Sequence, residues 1–352
     1  MAFAYRVAKL KLFASISATD AKPRNVSGKA KTHHPTMTEA NKEIINIDDR
    51  QADFQEINRK SWRVEHGIRS ICVMYDDHSS DKNSKENIFI LKDNVHYRLF
   101  SLVHQYLIYL RELGYAEHYL QDLHQKDPRL FNAFPMGNPH FEKVELELSS
   151  VFDSIVFQLS SVFDYISHLI CYICKTDKSK TLYWTKLASS AFGQNNDFSN
   201  LEIKNTIIDI DKTFVGRLYD YRSRLLHNKK DQHIFNSSVK LKDFNFDLKI
   251  LASETALKHF KAIREEYPNE RITLTFLSSW LIKKSFIDIE KILDALRIEI
   301  LKTSNFHLNL RKPKQDNGFM MISVDQKTNY ARPVSDGLWE QYKNWKDEKP
   351  SR

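Results

Sequence analysis

The stretch from Val144 to Cys174 constrains the fold more than any other. Leu148, Phe152, Ile155, Leu159, Val162, Ile166, Leu169 and Ile173 recur at alternating spacings of four and three, which is one unbroken apolar stripe along a helix. The opposite stripe is Asp153, Ser160, Asp164, Ser167, Cys171 and Cys174, and no Lys, Arg or Glu occurs between Leu148 and Cys174. A solvated helix face carries long charged side chains. A helix with small, weakly polar groups all round is therefore expected to be enclosed, by other helices or by a second subunit. A membrane span is not expected. Asp153, Gln158, Asp164 and His168 would lie in hydrocarbon, where an Asp near the middle costs about 2.5–3.5 kcal/mol.

The remaining periodicity is mostly helical. Only 8 Gly and 9 Pro occur in 352 residues, which favours long helices over a turn-rich β architecture. The expected fold is a mostly α helical bundle with long central antiparallel helices and a small C-terminal extension. Residues 1–40 show no sustained period and read as a disordered basic arm. Residues 1–36 alone contribute +6 of the formal +8 charge, through Arg6, Lys9, Lys11, Lys22, Arg24, Lys29 and Lys31 against Asp20. Lys9 and Lys11 interrupt what would be the apolar core of a secretory signal. Met37 is a second candidate start, which the intact mass of the native protein tests.

Residues 41–90 read as a helical or mixed segment, with a helix over 48–75 whose end, Ile68 to Tyr75, is also strand-compatible, and a loop over 76–87. Residues 91–304 read as the bundle. It begins with a helix over 95–113 ended by Gly114 and a short helix over 116–123. After the Val144–Cys174 helix come a short helix over 182–191, a polar loop over 193–200, a helix over 206–227 and a polar, extended stretch over 237–248. A helix over 253–266 and another over 273–301 complete it. Residues 305–352 form the extension, where Phe306–Leu310 and Phe319–Val324 flank Asn317-Gly318 as a candidate hairpin. Trp339–Trp345 reads as a short helix.

Side chains suited to phosphate chemistry fall together at the end of the 206–227 helix, in Tyr219-Asp220-Tyr221-Arg222-Ser223-Arg224-Leu225-Leu226-His227-Asn228. Histidine titrates near neutrality and serves as general acid or base. Arginine stays protonated and presents a planar fork matched to phosphate oxygens. On an ideal helix, positions five apart differ by about 140° and about 7.5 Å. Arg222 and His227 therefore converge only in a cleft made by a helix end, a kink or a second copy of the motif. The same pair at a helix C-terminus also suits a purely dipole-compensating end.

Arg222-Ser223-x-x-x-His227, at the end of a long helix paired with an earlier apolar one, resembles the R-(polar)-x3-H signature of HEPN domains, helical nucleotide-binding and ribonuclease modules of prokaryotic defence and toxin systems. The resemblance implies a cytoplasmic homodimer that cleaves RNA without metal or other cofactor, leaving 2′,3′-cyclic phosphate and 5′-OH ends. His227 would be the general acid/base and Arg222 the phosphate clamp, while Arg224, Asn228 and Lys229 would bind the strand. Asp164 and Ser160 are candidates to orient His227, set against ordinary helix-to-helix packing. A protein partner such as an antitoxin is also implied. The sequence departs from the pattern at Ser223, where many members carry Asn, and lacks a Tyr two residues after the His. A HEPN-like module that binds RNA, nucleotide or a partner protein without cleaving anything, and a purely structural dimer, are the rival expectations.

Other chemistry finds no support. The nucleotide-triphosphate, dinucleotide, zinc-protease and nucleophile-elbow motifs are missing from the sequence. Cys72, Cys171 and Cys174 cannot build a disulfide framework, which fits a reducing cytosol. Cys171-x-x-Cys174 has no second pair for zinc and reads as two small apolar residues. Glu117-His118 and Asp122-x-His124 could in principle bind a metal, but they read as a surface helix face.

Overall fold

A computed structural model describes residues 43–79, 87–131, 139–176, 183–227, 231, 233–240, 245–304, 306, 322–324 and 331–345. The basic arm over 1–40 lies outside the described residues.

The fold is mostly helical with short two-stranded pairings, one of them the parallel pair β1 (Ile44–Ile45) and β4 (Arg271–Ile272). In chain order the helices are α1 (Arg50–His78), α2 (Ile88–Lys126), α3 (Pro139–Cys174), α4 (Trp184–Phe192), α5 (Ile203–Ile210) and α6 (Gly216–His227), followed by α7 (Glu254–His259), α8 (Lys261–Glu266), α9 (Leu274–Lys302) and α10 (Val334–Lys343). Their starts are written locally. Asp49 accepts a hydrogen bond from Ala52 N, Asn87 from Phe89 N, Ser253 from Ala256 N and Thr273 from Phe276 N, each satisfying an amide that the first turn leaves without a partner.

α3 is enclosed, as its composition demands. It packs on α2, α4, α6 and α9, and its stripe from Leu148 to Ile173 is buried. The opposite stripe is absorbed too, with Ser160, Ser167 and Cys171 buried. Among the described residues α3 is the helix long and apolar enough to cross a membrane by length and composition, and most of its apolar window is buried inside this fold.

α1 packs between α2, α9 and α10, so the segments before and after the central helices share one core. A buried polar knot holds this layer. Asp53 of α1 accepts from Tyr106 of α2 (2.6 Å) and from Ser279 and Lys283 of α9 (2.8 Å each), and Lys283 also reaches Glu56 (2.6 Å). Removing one partner would strand a buried charge, which makes the knot a strong specifier of helix register.

Several elements differ from expectation for identifiable reasons. α1 continues as helix to His78, through the strand-compatible residues and into the expected loop, because Ile68, Ile71, Cys72, Met74 and Tyr75 all enter the core at helical spacing. Gly114 does not end a helix. α2 runs through it unbroken, since Leu113, Ala116 and Leu120 keep one buried face on both sides. Residues 253–266 form two short helices rather than one, broken at Phe260, whose φ of −98° and ψ of 64° leave the helical region. The polar stretch around 237–248 belongs to an antiparallel hairpin of β2 (Ile234–Lys240) and β3 (Asn245–Leu251). Most of the candidate hairpin around Asn317-Gly318 lies outside the described residues; its end, β5 (Ile322–Val324), pairs with β6 (Ala331–Pro333). The Trp339–Trp345 segment is helical through Lys343, in α10.

Candidate active site

α5 and α6 are nearly one helix, joined by a single π turn at Asp211–Val215. The turn closes when the Gly216 amide donates to the Asp211 carbonyl, and a Cβ at Gly216 would stand 2.7 Å from that oxygen. Only glycine fits there. One-turn π insertions rotate the following helix and recur at functional sites. Beyond it, Leu218 and Tyr221 face the core, while Asp220, Ser223, Arg224 and His227 are exposed.

Tyr221 and Tyr219 anchor α6 on two sides. The Tyr221 hydroxyl donates to Asp231 (3.0 Å), which also accepts from Ser253 Oγ (2.6 Å), while the Ser253 amide donates to His233 Nδ1 (3.1 Å). Tyr219 turns to α3. Its hydroxyl lies 2.6 Å from Asp164 Oδ1 and 2.8 Å from the Ser160 carbonyl, and Asp164 also accepts from the Trp184 amide at 3.1 Å. Burial first, and then the facing Asp164 carboxylate, pushes the Tyr219 phenol well above its ordinary range, so it remains a protonated donor.

On this anchored ring rests Arg222, its guanidinium carbon 5.7 Å from the Tyr219 centroid. Among the described residues Arg222 makes no ion pair, and its buried Nε has no hydrogen-bond partner there. His227, at the last turn of α6, is exposed. Arg224 is also exposed on that turn. Asn228 and Lys229 lie outside the described residues.

Asp164 and Ser160 therefore hold Tyr219, and through its ring Arg222; their hydrogen bonds do not go to His227. Tyr219, Trp184 and Asp211 had no expected role. The one available signal was the Tyr219-x-x-Arg222 spacing, which stacks an aromatic ring under a cation on a helix. Within one chain, Arg222 and His227 keep the angular separation of a regular helix. A cleft of the described surface lies at the other end of α6 and is lined by neither.

Among the described residues no group of three or more His, Cys, Asp or Glu is placed to hold an ion. Glu117 is a clamp instead. It binds Arg50 through two 2.7 Å bonds and accepts from the Leu248 amide of β3. Burial raises the Cys72 and Cys174 thiols far above the reactive range. No protein-family model matches the chain, and no curated protein or solved structure matches it.

Proposed function

We propose that the protein is a dimeric, metal-independent endoribonuclease of HEPN type, built as a HEPN-like bundle around α3 and α6 and acting in phage defence or a toxin system in the cytoplasm. His227 takes the proton of a ribose 2′-OH, the 2′ oxygen attacks the adjacent phosphorus, and the bond to the 5′ oxygen breaks as that oxygen gains a proton. The products are a 2′,3′-cyclic phosphate and a 5′-OH. Arg222 binds the phosphate and the charge that grows on it, and Arg224, Asn228 and Lys229 position the strand.

The observation that carries this reading is a guanidinium with no ion pair among the described residues, stacked on an anchored aromatic ring and five residues from an exposed imidazole. The angular separation of Arg222 and His227 within one chain favours, as second reading, a non-catalytic module that binds RNA, nucleotide or a partner protein.

Cleavage of a mixed RNA pool in EDTA separates the two, once sedimentation shows wild type and His227→Ala in the same oligomeric state. The wild type is expected to cleave, and the variant to lose about 10²- to 10⁴-fold. No cleavage by either protein selects the binding module, and equal cleavage by both removes His227 from the chemistry.

A further inference from the structure

The cleft at the start of α6 has a volume of about 550 Å³ and opens between α4 and the π turn, within the range of small-molecule sites. Its aromatic wall is Phe192, 45% exposed, with the Lys212 ammonium 5.3 Å from the ring centroid. Its floor is the Asp211 carboxylate, whose Oδ1 accepts from Trp184 Nε1 at 2.9 Å. A carboxylate offers about four lone-pair sites, so this one bond leaves acceptor capacity for a ligand. Arg217 stands beside it, loosely paired with Asp220 at 3.7 Å. Burial pushes the Asp211 carboxyl upward, against the pull of the Trp184 indole.

The balance of these groups selects a ligand class. Two carboxylates beside two cations suit neither a bare anion nor a bare cation. They suit a flat molecule with neighbouring donors and acceptors and a face to stack. Among nucleobases, guanine alone presents two adjacent donors, N1–H and N2–H₂, to a carboxylate, with O6 and N7 acceptors for an arginine or lysine. Aromatic side chains stack on bases in single-strand sites whatever the base, because every base has a π face.

We propose that this cleft binds a guanine base, with Asp211 accepting from its N1–H and N2–H₂, Arg217 or Lys212 donating to O6 and N7, and Phe192 stacking on the ring. The source is RNA if the ribonuclease reading holds, on which this last step rests. Asp220, Ser223, Arg224 and His227 form one exposed stripe of α6, and seven residues separate Asp220 from His227, about 10.5 Å of helix. A strand with guanine in the cleft would follow that stripe and bring a phosphate one or two nucleotides away to His227.

Calorimetric titration of the full chain with GMP, AMP, CMP and UMP tests the site without any need for cleavage. GMP is expected to bind about tenfold or more tightly than the others, and Asp211→Asn, which keeps an acceptor for Trp184, to lose about tenfold or more in GMP affinity. Phe192→Ala, at an exposed side chain that the core does not need, is expected to weaken GMP severalfold. A pentanucleotide carrying one central guanine, with 2′-deoxyribose to prevent cleavage, is expected to bind more tightly than GMP if RNA is the source; equal affinity assigns the cleft to free guanine nucleotide. Undetectable GMP binding at millimolar concentration, no preference over AMP, or unchanged affinity in both variants overturns the proposal. Cleavage of RNA without guanine preference would leave the ribonuclease reading standing and remove only RNA as the source of the guanine, whereas guanine binding without cleavage would leave this site standing and remove the ribonuclease reading.

Discussion

Tyr219 is the residue on which the candidate chemistry turns, because it does two separable things. Its hydroxyl ties α6 to Asp164 of α3, and its ring carries Arg222. Tyr219→Phe keeps the ring and removes one hydrogen bond from a partly buried carboxylate that still accepts from the Trp184 amide. It is expected to cost about 1–2 kcal/mol in chemical denaturation while kcat/KM for RNA stays within about threefold. Tyr219→Leu removes the platform as well, and a cation–π contact of about 0.5–2 kcal/mol converts to a further loss of roughly twofold to thirtyfold in kcat/KM. A Phe variant as impaired in cleavage as Leu would show that the hydroxyl, not the ring, positions Arg222. Arg222 and His227 stood out in the amino-acid sequence because their chemistry suits phosphate and their spacing matches the HEPN signature. Tyr219 did not, since one tyrosine beside another on an amphipathic helix reads as packing until its partner on a distant helix is known.

At the scale of elements, two glycines show where local reading succeeds and where it stops. Gly114 invites a helix stop, yet α2 passes through it with open space where a Cβ would point. Gly216 looks like a tolerated helix residue, yet its amide closes the π turn that sets the face of α6. Gly114→Ala is therefore expected to stabilise the protein by about 0.5–1 kcal/mol, the usual helix-interior gain over glycine. Gly216→Ala is expected to destabilise it by about 1–3 kcal/mol, because backbone must move to relieve a 2.7 Å approach to the Asp211 carbonyl. Paired denaturation curves check both signs, and a neutral Gly216→Ala would mean that the π turn is not required. The long helices were legible because burial repeats every three or four residues over many turns. The π turn was not, since the Asp211–Val215 run has no composition that distinguishes it from ordinary helix. Nor was the β2–β3 hairpin plain, because the Glu117 bond that holds it comes from α2, far away along the chain.

The whole molecule decides whether the motif can act. On a single α6, Arg222 and His227 point about 140° apart, and Leu226 between them is 56% exposed, an apolar group that a second copy would cover. A two-fold axis beside the end of α6 would place Arg222 of one chain against His227 of the other, making each site a composite. That geometry has a quantitative consequence. Arg222→Ala and His227→Ala homodimers are each expected to be inactive, since every site lacks one group. A heterodimer of the two keeps one complete site, with Arg222 from the His227→Ala chain and His227 from the Arg222→Ala chain. After equimolar mixing and exchange, half the dimers are heterodimers with one of two sites intact, so activity is expected to return to about a quarter of wild type. If both groups of a site come from one chain, no mixture restores activity, because every chain lacks one of them. Measured as EDTA-resistant cleavage against mixing ratio, recovery peaking at equal proportions locates the site between chains. A flat line at zero, with the wild type active, locates it within one chain.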